Sequence, residues 1–271
     1  MATVLYQPFP MQGRGRGQIW RYAPQYRRPR HFHAEPELNV VCAGTGAFAT
    51  GARVFPVRAG DTVWWPAGID HELVGTSPDF DLFVVGLTPE LSERVLGCAG
   101  LDAAPARALR LPAATFAAIE RACAIPVHEL EPLVLEQRVA ELWHAAYTAP
   151  GAGVGMHTLA RRGVLAVFAD PEVTRRELAR ELRAHPSDVS RHFSADVGIT
   201  LTEYRTRLRL LRFIRAVDEA PVVNLAAAAL AAGFGSYSQC HRAFRAALAC
   251  SPREFFTRPA REAMSEVFAP W

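Results

Sequence analysis

The chain has 271 residues, half of them hydrophobic, with 30 basic residues, all Arg, against 27 acidic ones and a net charge of +3. That size allows two domains with a sizeable core, and the composition excludes a disordered or low-complexity protein. No apolar run is long enough to span a bilayer, and Cys42, Cys98, Cys123, Cys240 and Cys250 form no CxxC pair, which argues against a disulfide framework or a zinc–thiolate site.

Residues 1–30 lack the charged start, apolar stretch and small-residue cleavage site of an export signal, so the cytoplasm is the expected location. Gly13-Arg14-Gly15-Arg16-Gly17 and Arg27-Arg28-Pro29-Arg30 would suit a basic arm on DNA or a Gly-Arg stretch on RNA. They would equally suit a loop leading into strands, since Ile19-Trp20-Arg21-Tyr22 already alternates. From His31 to Leu87 short strands are predicted at Leu38–Val41, Ala47–Thr50, Val54–Val57, Thr62–Trp65 and Phe80–Val85. Gly-, Pro- and Asp-rich turns lie between them, which is the pattern of a β-sandwich or barrel.

Two constellations lie on these strands: His31-x-His33-x3-Glu37-x6-Gly44 and Gly60-x5-Pro66-x-Gly68-x2-His71. His31, His33 and Glu37 share parity, so an extended strand presents all three on one face, where His71 from a neighbouring strand would complete the set. Imidazoles with a carboxylate suit a divalent transition metal such as Zn, Fe, Ni or Mn. The same residues would also serve without metal, lining an effector pocket or bonding turns. Trp64, Trp65, Asn39 and Phe48 are either cavity lining or ordinary core. Both spacings resemble the two cupin motifs, with Gln25 and Gly75 as departures at the first and last positions. The resemblance implies a cupin-like β-barrel over residues 1–87.

Residues 88–148 read as a helical connector, with helices at Pro89–Leu96, Ala113–Cys123 and Glu131–Ala146. Leu135, Val139, Leu142, Trp143 and Ala146 make an apolar stripe that would pack on the barrel or form the seam of a homodimer. Residues 149–156, rich in Gly, Ala and Pro, read as a flexible linker. Charge divides here. The first 150 residues carry 13 Arg and 15 acids, and the remainder carries 17 Arg and 12 acids, so the basic excess falls on the C-terminal part.

Residues 157–271 contain one bihelical pattern twice. The first copy has Glu177-Leu178-Ala179, then Val189, Arg191 and Phe193, then Gly198 and Tyr204. The second has Asn224-Leu225-Ala226, Gly233-Phe234, Arg242 and Phe244, then Ser251-Pro252 and Phe255. Thr174, His185-Pro186-Ser187 and Ser236 are helix-start signals. In each second helix one apolar pair, Val189/Phe193 or Cys240/Phe244, turns inward at a spacing of four. Polar side chains are left outward, where Arg suits guanine and Gln suits adenine. Between the copies Leu201, Tyr204, Leu208, Leu211 and Ile214 predict one helix holding the two readers apart.

This distributed pattern resembles the C-terminal domain of the AraC/XylS family of transcription regulators, over roughly the last 115 residues. The resemblance carries the family's base-facing positions onto Ser187, Ser190 and Arg191, and onto Tyr237, Ser238, Gln239, His241 and Arg242. Cys240, Ala228 and Ala249 depart from the family pattern and predict a less tightly packed second unit. Sensor cupins head many such regulators, so the two resemblances reinforce each other. Together they imply an α+β protein: barrel, helical connector and all-α tandem helix-turn-helix domain. They imply double-stranded DNA and a small-molecule or metal effector as partners, a homodimer, and RNA polymerase as a candidate partner, with no membrane and no catalysis. A metal-dependent cupin enzyme of oxygenase or isomerase type is the alternative from another class.

Overall fold

The computed structural model describes residues 5–7, 16–22, 29–51, 53–91, 107–125, 130–148 and 158–257. The expected linker 149–156 lies outside them, as do Cys98, Gln25 and most of the Gly-Arg stretch.

Antiparallel strands shape the N-terminal half, with register shifts at Val41–Ala43 and Ala47–Phe48. A five-stranded antiparallel sheet runs in the order β10 (Arg107–Arg110), β7 (Asp61–Trp65), β4 (Glu37–Ala43), β9 (Asp81–Leu87), β2 (Gly17–Arg21). A second antiparallel sheet has the order β6 (Arg53–Arg58), β5 (Thr45–Thr50), β8 (Glu72–Thr76). β1 (Leu5–Tyr6) pairs in parallel with β3 (His31–Phe32). The expected barrel is thus a sheet-rich domain of three sheets. The inner faces of the two larger ones share one apolar cluster containing Val41, Phe48, Val57, Val63, Trp65 and Leu82. The two-residue strands β1 and β3 are too short to show an alternation in sequence.

The other face of the five-stranded sheet presents Ile19, Leu38, Val40, Trp64 and Val85, and two helices cover it. These are α1 (Ala113–Cys123) and α2 (Pro132–Thr148). The expected helix from Pro89 is followed only as far as Leu91, where the described segment ends. The stripe on α2 is settled by packing. Leu135, Val139, Leu142 and Trp143 are buried against the sheet, with Trp143 edge-on to Trp64 at 4.6 Å, so they do not form an exposed seam.

The C-terminal helices follow their start signals. α3 (Thr158–Ala169) leads in, and α4 (Arg175–Glu181) opens with a Thr174/Glu177 capping box. α5 (Pro186–Val197) starts with Pro186 in its first turn and is closed by Gly198 at φ 83°. α6 (Leu201–Glu219) has a Thr200/Glu203 capping box and buries Leu201, Tyr204, Leu208, Leu211 and Ile214. α7 (Leu225–Ala231) is capped by Asn224, α8 (Tyr237–Leu248) by Ser236, and α9 (Pro252–Phe255) by Ser251 with Glu254. The second unit is closed despite its departures. Cys240, Phe244, Leu248 and Phe255 are fully buried, and Ala249 takes the left-handed position at φ 59° that glycine adopts at no steric cost. Among the described residues no helix is long and apolar enough to cross a membrane.

Replacing Trp143 by Ala is expected to destabilise the protein by about 3–5 kcal/mol, as for other buried aromatics. Urea unfolding followed by circular dichroism measures it, and a cost under about 1 kcal/mol would show that α2 is not anchored on the sheet through this ring.

Candidate functional site

The structure brings His31, His33, Glu37 and His71 together, each almost fully buried. They do not lie on one continuous strand, as parity alone suggested. β3 ends at Phe32, the chain bends through Ala34 and Glu35, and β4 begins at Glu37. His71 joins through a two-way main-chain bridge to His31, with N–H···O distances of 3.1 and 2.8 Å.

Main-chain carbonyls orient the rings. Nδ1 of His31 donates to Pro29 O at 2.8 Å, that of His33 to Glu35 O at 2.6 Å, and that of His71 to Ile69 O at 3.2 Å. A carbonyl only accepts, so Nδ1 carries a proton in each ring and Nε2 is left to face the cluster, donating to Glu37 when protonated and free to ligate when not. The three rings each offer a ligating nitrogen, all within 4.8 Å of one another. Glu37 Oε2 lies 3.1 Å from His33 Nε2 and 3.5 Å from His71 Nε2. A proton or a cation between these nitrogens and the carboxylate satisfies both sides. Burial pushes the Glu37 carboxyl up, but the His71 and His33 imidazoles more than offset this and hold it well below the usual carboxylate range. Glu37 is therefore held toward its ionised form, and three imidazole nitrogens, with a carbonyl behind each ring and the Glu37 carboxylate beside two of them, suit a divalent transition metal.

A second layer holds this set. Asn39 donates to Glu37 Oε1 at 2.7 Å and accepts from Trp65 Nε1 at 2.7 Å, while the Trp65 ring stacks on His71 at 4.5 Å. Of the residues left open between cavity and core, Asn39, Trp65 and Phe48 therefore belong to the inner side, and Trp64 packs under α2. Burial pushes the thiols of Cys42 and Cys123 up to about 12, which keeps both protonated. Gln7 was not foreseen. Its side chain is 1% exposed with neither amide atom hydrogen-bonded, and continuation of the β1–β3 register sets it beside His33. Tyr6, of opposite parity, faces Phe32 and Phe255 instead.

The predicted reading residues lie on α5 and α8. Ser187, Arg191, Ser238, Gln239 and Arg242 are exposed; Ser190, Tyr237 and His241 are half-buried. Inward, Val189/Phe193 and Cys240/Phe244 are buried, as their spacing requires. Arg191 is paired with Asp188 at 2.8 Å, a carboxylate it must leave to reach a base. Ser190 Oγ donates to Pro186 O, and Gln239 Oε1 accepts from Gly235 N–H. Both helices pack on α6. Each unit therefore has its second helix fixed from behind and polar in front.

Sequence reasoning missed the junction between the two parts. Asp70, 1% exposed at its side chain, accepts from Arg30 Nε at 2.5 Å, from Gly51 N–H at 3.0 Å and from Arg207 of α6. Arg207 also donates to Gly68 O at 3.2 Å, and Tyr204 Oη donates to Ala67 O at 3.2 Å. Arg53 bonds Asp196 O at 2.9 Å, and the Gly51 main chain, at φ 52°, packs so closely on Gly198 that a Cβ would overlap it at 2.3 Å. Burial raises the Asp70 carboxyl, Arg207 then Gly51 and Arg30 outweigh it, and the group lies below its ordinary range. The one local signal was Asp70 standing beside His71.

Residues 16–143 match the family model of an AraC-like ligand binding domain, and residues 178–258 match that of a helix-turn-helix domain. No curated protein matches the chain. Among solved structures, ToxT from Vibrio cholerae is similar at 11% identity, covering 88% of this chain and 96% of that one with a TM-score of 0.44. The AraC-like transcriptional activator CuxR is similar at 14% identity, covering 72% of each chain with a TM-score of 0.31.

Asp70→Ala leaves two guanidinium groups facing each other without their carboxylate. The expected loss is about 3 kcal/mol, the lower end for a broken buried pair because both Arg side chains keep some solvent. Guanidinium chloride unfolding measures it, and an unchanged midpoint would show that the Asp70 pairing does not hold the junction.

Proposed function

The chain belongs to the AraC family of ligand-controlled, DNA-binding transcription regulators, and on that premise we propose how its two sites divide the work. Members of this family are not enzymes, so the reading as a metal-dependent oxygenase or isomerase is set aside.

DNA is read by α5 through Ser187, Ser190 and Arg191 and by α8 through Tyr237, Ser238, Gln239, His241 and Arg242. The observation that carries this is the pair of bihelical units sharing one central helix, with apolar residues turned to the core and these polar ones outward. Arg side chains select guanine by forked bonding to O6 and N7, and Gln239 suits adenine. Surrounding Arg residues, such as Arg180, Arg183 and Arg245, hold phosphates and make binding salt-dependent.

The effector site is the buried cluster of the sheet-rich domain. His31, His33, Glu37 and His71 hold a divalent transition metal, which would supply a positive centre for an anionic or oxygen-donor effector. Gln7 offers an unused donor and acceptor on the same side. A homodimer forms over the outward face of α2, where Leu133 and Val134 are exposed beside a groove of about 530 Å³ lined by Leu91, Gln137 and Ala140. The protein works in the cytoplasm, with RNA polymerase as the machinery it influences.

Selection of bound duplexes from random DNA tests the reading. Arg191→Ala and Arg242→Ala are each expected to weaken the selected duplex by about 1–3 kcal/mol in a titration at fixed salt and to relax preference at one position. Wild-type affinity in both would show the assigned registers to be wrong. Separately, metal analysis of the purified protein is expected to find one divalent ion per chain, lost in both His33→Ala and His71→Ala; equal content in all three proteins would place the ion elsewhere.

A further inference from the structure

The His31–His71 bridge has two sides. On one side the imidazoles converge with Glu37. One residue back along each segment, Arg30 and Asp70 pair with each other on the other side. Phe32, the next residue of that outward parity, carries the Arg207 guanidinium 5.2 Å from its ring centroid. The same short stretches of backbone therefore hold the candidate metal ligands and the anchor for α6. That helix supports both readers from behind and reaches the sheet-rich domain through Tyr204 and Arg207.

We propose that this junction is a latch, in which the Asp70–Arg207 bond couples occupancy of the histidine cluster to the position of α6 and thus of α5 and α8. The inference rests on His31, His33, Glu37 and His71 being ligands of a divalent cation. The ligating nitrogens of the three imidazoles lie within 4.8 Å of one another, and metal–nitrogen bonds of about 2.0–2.1 Å fix the rings at a set spacing. Two main-chain hydrogen bonds tie His31 to His71, so that movement is passed to Arg30 and Asp70, their immediate neighbours. The latched arrangement is the cation-binding one, because in it the three imidazoles already converge with Glu37 beside two of them. By linkage, whatever opens the latch weakens cation binding by the factor with which the cation closes it.

Full-length protein with Zn²⁺ alone as the probe tests this by calorimetry and by hydrogen exchange over residues 204–211. Zn²⁺ is expected to slow exchange in that segment of the wild type by about tenfold, and Arg207→Ala to lower Zn²⁺ affinity by about the same factor. Arg207→Lys, which keeps the charge but loses the fork, falls between. The wild-type exchange comparison stands even where a variant fails to fold. Zn²⁺ bound with unchanged exchange at 204–211, or bound equally by wild type and a folded Arg207→Ala, overturns the latch and leaves the metal site standing. A wild type that binds no Zn²⁺ removes the metal site and the latch with it.

Discussion

A single buried carboxylate between two guanidinium groups fixes how the halves of this protein meet. Asp70 receives Arg30 from its own domain, Arg207 from α6 and the Gly51 amide, so its acceptor capacity is largely used. Such a pair adds little net stability over an apolar contact of the same size, because desolvating three charged groups costs about what their attraction returns. Holding power comes instead from the apolar cluster that runs unbroken from Phe48 and Trp65 through Tyr6 and Phe32 into Tyr204, Phe213 and Phe244. The ion pairs contribute geometry. A hydrophobic face tolerates sliding, whereas a buried carboxylate held by Arg30, Arg207 and the Gly51 amide is satisfied in one register only.

That division of labour suits a regulator. α5 and α8 share α6 as a common support, so a displacement of that one helix is passed to both. Glu172 and Arg209, paired at 2.5 Å, brace the same helix against the segment before α4, close to the Gly233 turn of the second unit. The sheet-rich domain touches this assembly through the Ala67–Asp70 turn, through Gly51 on Gly198, through Arg53 on Asp196 of α5, and through β1 on α8 and Phe255. Ser187, Arg191, Ser238, Gln239 and Arg242 stay exposed beside these contacts.

Much of this was legible before any coordinates. Helix starts at Thr174, His185-Pro186-Ser187 and Ser236 are local chemistry, and the inward pairs Val189/Phe193 and Cys240/Phe244 follow from the helical period. The four-residue cluster in the sheet-rich domain was found through parity, although the bend at Ala34–Glu35 means that parity succeeded for a partly different reason. What escaped was long-range. Asp70 and Arg207 are 137 positions apart and neither has a local pattern to announce it. β1 and β3 are two residues each, and Gln7 gains meaning only from its register with His33. The stripe on α2 was compatible with a sheet or a partner; Trp64, on the outward parity of β7, decided for the sheet.

Because the account makes the histidine cluster and the reading helices parts of one mechanically linked body, the most direct measurement is the affinity of the same protein preparation for its selected duplex with saturating Zn²⁺ and with chelator, at one salt concentration. The account predicts a difference of at least about fivefold, the lower bound of ordinary coupling between sites. Equal affinities, with Zn²⁺ demonstrably bound in one sample and absent from the other, would contradict it.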